Sequence, residues 1–117
     1  MKNYLFILRK PAYSGIYVQE TLDVILTTAA FDQSVCLMFL DDAVFHLKAG
    51  QSPPLQTKDT GAMFKVLTLY DIDTLYVEAE SLSERGLSAN DLFLPVCVIA
   101  RQAVSQMMAR FDIIYAG

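Results

Sequence analysis

The chain has 117 residues, 54% of them hydrophobic and 19% charged, with nine Lys and Arg against thirteen Asp and Glu for a net charge of −4. That length fits one domain around one apolar core, and the acidic balance argues against direct binding of a phosphate backbone, which needs clustered cations. Apolar runs such as Val35–Leu40 fall far short of the roughly 20 residues a membrane helix requires, so the apolar excess is expected to be hidden against another chain.

The N-terminal stretch MKNYLFILRKP superficially suggests a secretion signal. Arg9, Lys10 and Pro11 stop its apolar run, however, and no small-residue cleavage site follows. Tyr4–Leu8 is expected to be the first strand instead. Ser14 and Gly15 then open a helix whose residues Val18, Leu22, Ile25 and Ala29 form one apolar stripe. A glycine-bearing helix start can hold phosphate, but neither G-x-G-x-x-G nor a P-loop is present. The glycine is expected to serve the turn.

Val35–Leu40 is the expected second strand. Behind it Asp41–Lys58, with Gly50, Pro53 and Pro54, marks a surface loop. Its apolar patch Ala43-Val44-Phe45 has two readings: a short helix that lends surface to a partner, or a small lid packed on its own domain. The single histidine, His46, is expected to be a loop side chain near an interface. Met63, Val66, Leu67 and Tyr70 set out a second helical stripe.

Leu75–Val77 forms a third strand that runs into Glu78, followed by the cap pattern Ser81-x-x-Glu84 and then Gly86. Leu94–Val98 and Ile113–Tyr115 are the fourth and fifth, separated by a helix with the stripe Val104, Met107, Met108 and Phe111. Continuous apolar strands alternating with amphipathic helices predict a single α/β domain over residues 1–117, with three layers around a parallel sheet. Its crossovers should be right-handed.

Candidate chemistry is sparse. Cys36 and Cys97 each lie mid-strand among aliphatic residues, where a thiol is buried, inert and part of the core. With no disulfide framework, a reducing cytoplasm is the expected compartment. Asp41, Asp42, Glu78 and Glu80 should gather at the carboxyl edge of the sheet with Arg9 and Lys10, where ion pairing is the expected role. The set offers neither the nitrogen ligands nor the tight carboxylate cage of a metal site. No cofactor is expected. Met107 and Met108 are read as core or subunit contact.

The motifs PAYSGIY at Pro11–Tyr17, AAFDQSVCLMFLDDAVFHL at Ala29–Leu47, GAMFKVLTLYDI at Gly61–Ile72 and YVEAESLSERGL at Tyr76–Leu87 together carry a resemblance. The chain resembles the DsrE/DsrF family of sulfur-relay proteins, on its TusC/DsrF branch. The resemblance implies a five-stranded parallel sheet between helices. It also implies a heterohexamer, a dimer of trimers, with TusB/DsrH-like and TusD/DsrE-like subunits. In the TusD/DsrE-type subunit a cysteine ending the third strand accepts persulfide sulfur. The matching position here is Glu78, eight residues before Gly86. A carboxylate forms no persulfide, so the resemblance implies a noncatalytic subunit. Its contact surface is expected at Val44, Phe45 and His46 and at Met107 and Met108. The family's pathways imply thiolation of tRNA wobble uridines or, in the DsrF branch, sulfur oxidation. A self-associating sulfurtransferase using Cys36 or Cys97 stays open as an alternative.

Overall fold

The computed structural model describes residues 2–10, 16–31, 33–48, 72, 74–92 and 95–116. Five strands form one sheet: β1 (Asn3–Leu8), β2 (Ser34–Phe39), β3 (Leu75–Glu78), β4 (Cys97–Ile99) and β5 (Ile113–Ala116). Every pairing is parallel, in the order β4-β3-β2-β1-β5. The described helices are α1 (Ile16–Ala30), α2 (Ala79–Glu84) and α3 (Val104–Met108), with short 3-10 turns at Asp41–Leu47, Ala89–Asp91 and Arg101–Ala103. The predicted helix around Met63–Tyr70 lies outside the described residues, as do Ser14 and Gly15.

Alternation along the strands divides the sheet into two faces, because successive side chains point to opposite sides. On one face Phe6, Leu8, Val35, Leu37, Phe39, Leu75 and Val77 pack with Leu22 and Ile25 of α1. Leu22 and Ile25 belong to the stripe predicted for that helix, and both are fully buried. Ala43, Val44 and Leu47 from the first 3-10 turn and Leu82 from α2 complete this core. On the other face Leu5, Ile7, Met38 and Leu40 are buried beneath Val104, Met107, Met108 and Phe111. The architecture is thus an α/β/α sandwich around a five-stranded parallel sheet, as the sequence predicts.

Two expectations need correction, and a choice between two readings is decided. The fourth strand begins at Cys97, not before, because Pro95 lacks the amide a parallel ladder requires. Cys97 consequently opens an edge strand and is exposed, and Cys36 is half-buried; neither is the sealed core thiol expected. Ala43-Val44-Phe45 is a 3-10 turn packed on its own domain, with Val44 and His46 almost wholly buried.

Candidate functional site

Glu78 is the last residue of β3 and the N-cap of α2. It is 5% exposed, on the sheet's carboxyl edge, the side where open α/β sheets gather ligands. A carboxylate this buried needs partners, since desolvation alone would drive it toward its neutral acid. Arg101, just past β4, supplies two of them: its Nε and Nη2 donate to Glu78 Oε1 at 3.1 and 3.0 Å. The Ser81 hydroxyl, one turn into α2, donates to the same oxygen. Burial pushes the Glu78 carboxyl up, but the Arg101 and Ser81 bonds outweigh it and hold the group below the usual carboxylate range.

The helix begins at Ala79, so Ser81 and Glu84 lie inside it and do not form the cap expected from their spacing. A capping box is instead built by Ser88 and Asp91 around the next 3-10 turn. Ser81 is spent on Glu78, and its Oγ also accepts the Asp41 amide at 2.8 Å. Asp41 stands at φ 54°, in the left-handed region that Asp tolerates better than most residues.

Arg101 is the hub of this edge. Its Nη2 and Nη1 reach Glu84 Oε1 and Oε2 at 2.9 and 3.3 Å, and its backbone amide donates to Glu80 Oε1 at 2.9 Å. Nearby, Arg85 Nε donates to Asp42 Oδ1 at 2.9 Å and Arg85 Nη1 to the Ser81 carbonyl at 3.2 Å. Loops leaving β2, β3 and β4 are thereby tied together. Of the predicted acidic group, Asp42 and Glu78 form ion pairs here through Arg85 and Arg101, while Glu80 accepts only the Arg101 backbone amide. Arg9 only approaches Asp41 at 3.9 Å.

This arrangement limits the chemistry available. Glu78 is a charge-compensated carboxylate with no thiol beside it, so it offers neither a sulfur nucleophile nor a proton held near neutral pH. Among the described residues no group of three or more His, Cys, Asp and Glu could hold a metal ion. His46 Nε2 lies 2.9 Å from the Lys10 carbonyl, which only accepts, so this nitrogen carries the proton of the neutral ring. Burial lowers its pKa to about 4, against the opposing pull of that carbonyl bond.

The expected contact residues separate in the structure. Val44 and His46 face the chain's own core, while Phe45, Met107 and Met108 keep accessible surface. Cys97 pairs in register with Tyr76 on the second face, two residues before the pairing of Glu78 with Ile99, and it is not among the hydrogen-bond partners of Glu78. Burial raises the Tyr76 phenol, and the Cys36 and Cys97 thiols add to the rise. An open hollow lined by Lys2, Tyr4, Thr27, Thr28, Phe31 and Gln33 sits at the amino edge, the far end of the sheet. No described helix is long and apolar enough to cross a membrane.

Arg101 is the residue that sequence reasoning missed. Its signal was weak: a cation directly after an apolar strand, hence at the same edge as the acids.

The model of the DsrE/DsrF-like family matches residues 2–115. A protein TusC homolog from Pseudomonas aeruginosa is 42% identical over 112 residues, covering 95% of this chain and 94% of that protein. The intracellular sulfur oxidation protein DsrF of Allochromatium vinosum is 40% identical over 93 residues, 79% of this chain and 68% of its own. The crystal structure of the ychN protein from E. coli matches over 100% of both chains with a TM-score of 0.85 at 17% identity, a likeness of fold alone. With a family match that spans nearly all its residues, the chain belongs to the DsrE/DsrF-like family.

Proposed function

We propose that this chain is a noncatalytic subunit of a cytoplasmic sulfurtransferase complex in which persulfide sulfur rides on a neighbouring subunit. The proposed partners are TusB/DsrH-like and TusD/DsrE-like chains in a dimer of trimers. The proposed end product is the 2-thiouridine of tRNA wobble positions. One observation carries this reading: the end of β3 holds Glu78, a carboxylate whose charge is already met by Arg101 and Ser81. Sulfur transfer there needs an accessible thiolate, and this position has none. Phe45, Met107 and Met108 are the proposed contact residues.

Co-expression with the genes of related small subunits tests the proposal. The chain should co-purify with them, and mass spectrometry during turnover should find sulfane sulfur on a partner. A stable monomer that never joins related subunits would overturn it.

Two observations favour narrower alternatives. The 40% identity to DsrF favours a role in sulfur oxidation. Deleting the gene separates the pathways, since only the first reading loses 2-thiouridine from tRNA. The exposure of Cys97 favours a sulfurtransferase that uses its own thiol. Alkylation alone does not decide this, because an exposed thiol labels whatever its role. The decisive measurement is whether a persulfide is trapped on Cys97 during turnover and lost in Cys97→Ser.

A further inference from the structure

The sheet order places β4 and β5 on opposite edges. The connection between them, residues 100–112, must therefore cross β3, β2 and β1. Four strand spacings of about 4.8 Å make that a span of roughly 19 Å. It carries the third 3-10 turn and α3 over the face formed by Leu5, Ile7, Cys36, Met38 and Tyr76.

This crossing is held differently from the rest of the fold. No residue from 95 to 116 is fully buried, whereas β1, β2, the Asp41–Leu47 turn and β3 are lined with buried side chains. Its apolar grip is four partly covered residues, Val104, Met107, Met108 and Phe111. Its two ends are fastened by polar bonds. At the β4 end Arg101 is bound by Glu78, Glu84 and, through its amide, Glu80. At the β5 end Asp112 Oδ2 accepts the Asn3 amide at 2.8 Å, and the Asp112 amide donates to the Asn3 carbonyl at 3.0 Å.

We propose that residues 100–112 form a strap that opens as a unit from the second face of the sheet, with Arg101 as its latch. Segments with few buried apolar contacts open at lower free energy than the global fold, and an end-on polar latch sets how often. Opening uncovers the half-buried Cys36 thiol together with Met38 and Tyr76. The strap follows from this chain's own packing and does not depend on which complex the chain serves.

Native-state hydrogen exchange and cysteine labelling test it on the full chain. In the unaltered protein, amides of residues 100–111 should exchange at least about tenfold faster than those of β1 and β2. Equal protection would overturn the proposal even if every latch variant failed to fold. In a Cys97→Ala background, Arg101→Gln should speed Cys36 alkylation about tenfold and strap exchange by a similar factor, with β1 and β2 unchanged. Asp112→Ala should act in the same direction from the other end. Arg9→Gln, which removes the approach to Asp41 at the same edge and leaves the Arg101 acceptors Glu78, Glu80 and Glu84 in place, should leave Cys36 labelling unchanged. Arg101→Gln with no effect on strap or thiol, or with an equal rise across β1 and β2, would count against a latch.

Discussion

Arg101 directs two donors, Nε at 3.1 Å and Nη2 at 3.0 Å, onto a single oxygen of Glu78. Only the carboxylate is deeply buried, so the two partners should not be equivalent. Arg101→Ala leaves a buried charge with the Ser81 hydroxyl as its main compensation, whereas Glu78→Ala frees a half-exposed cation that still holds Glu84. Thermal melts should show Arg101→Ala as the more damaging change. The double variant should lose less than the sum of the two. Additive losses would mean the pair is not coupled.

Glu78→Cys places a thiol at the end of β3. Arg101 and Ser81 would favour its thiolate, but the position is only 5% exposed, so access is the barrier. Supplied with a persulfide donor, the variant should accumulate no sulfane sulfur at residue 78. Ready persulfidation there would show a competent pocket and weaken the noncatalytic assignment.

His46 sets part of the acid response. Its pKa falls from 6.5 to about 4 in the fold, so the unfolded chain binds the extra proton between those values. Its contribution is complete above pH 6.5 and is lost as the pH drops toward 4, a loss on the order of 3 kcal/mol. Glu78 and Glu84 are also held low, so their contributions fade at lower pH, below 4.5. Urea denaturation at several pH values should give a decline from pH 7 to 4.5 that His46→Gln flattens. An undiminished decline in that variant would assign the effect elsewhere.

The 3-10 turn after β2 is core, and its substitutions should behave so. Leu47 is fully buried, and Leu47→Ala should cost about 2–5 kcal/mol in chemical denaturation. Phe31 is 73% exposed, and Phe31→Ser should change stability by about 0.5 kcal/mol or less. Similar losses for both would contradict the burial pattern.

Gly86 ends the α2 turn at φ 70°, where a β-carbon would meet nothing within 4 Å. Gly86→Ala should therefore cost only the backbone term, about 1–2 kcal/mol, and Gly86→Asn less. A much larger loss would point to a steric conflict that this open position does not contain.

The layers were legible because unbroken apolar runs and helical stripes are local signals. Tyr4–Leu8, Val35–Leu40 and Ile113–Tyr115 differ from the observed strands by a residue or so at their ends. Leu94–Val98 misled because hydrophobicity continues through Pro95 while the hydrogen-bonded ladder does not. Ser81-x-x-Glu84 misled for a related reason: the same spacing fits a helix start or a helix interior, and only the position of Glu78 decides. The site itself was half visible. Glu78 stood out, but its partner lies 23 residues away, and no local pattern announces a contact that only the sheet order creates. The proline and glycine that follow mark a surface loop, which left Val44 between partner contact and own-domain lid and put His46 at the surface, whereas tertiary packing turns both inward.

The order of the strands also bears on biosynthesis. β1 pairs with β2 through Asn3–Ser34 to Leu8–Phe39, neighbours that leave a ribosome early, but its other side is satisfied only by residues 113–116. One flank of the first strand therefore remains bare until translation reaches that point. A nascent chain stalled before it would present an open hydrogen-bonding margin to chaperones and to other unfinished chains.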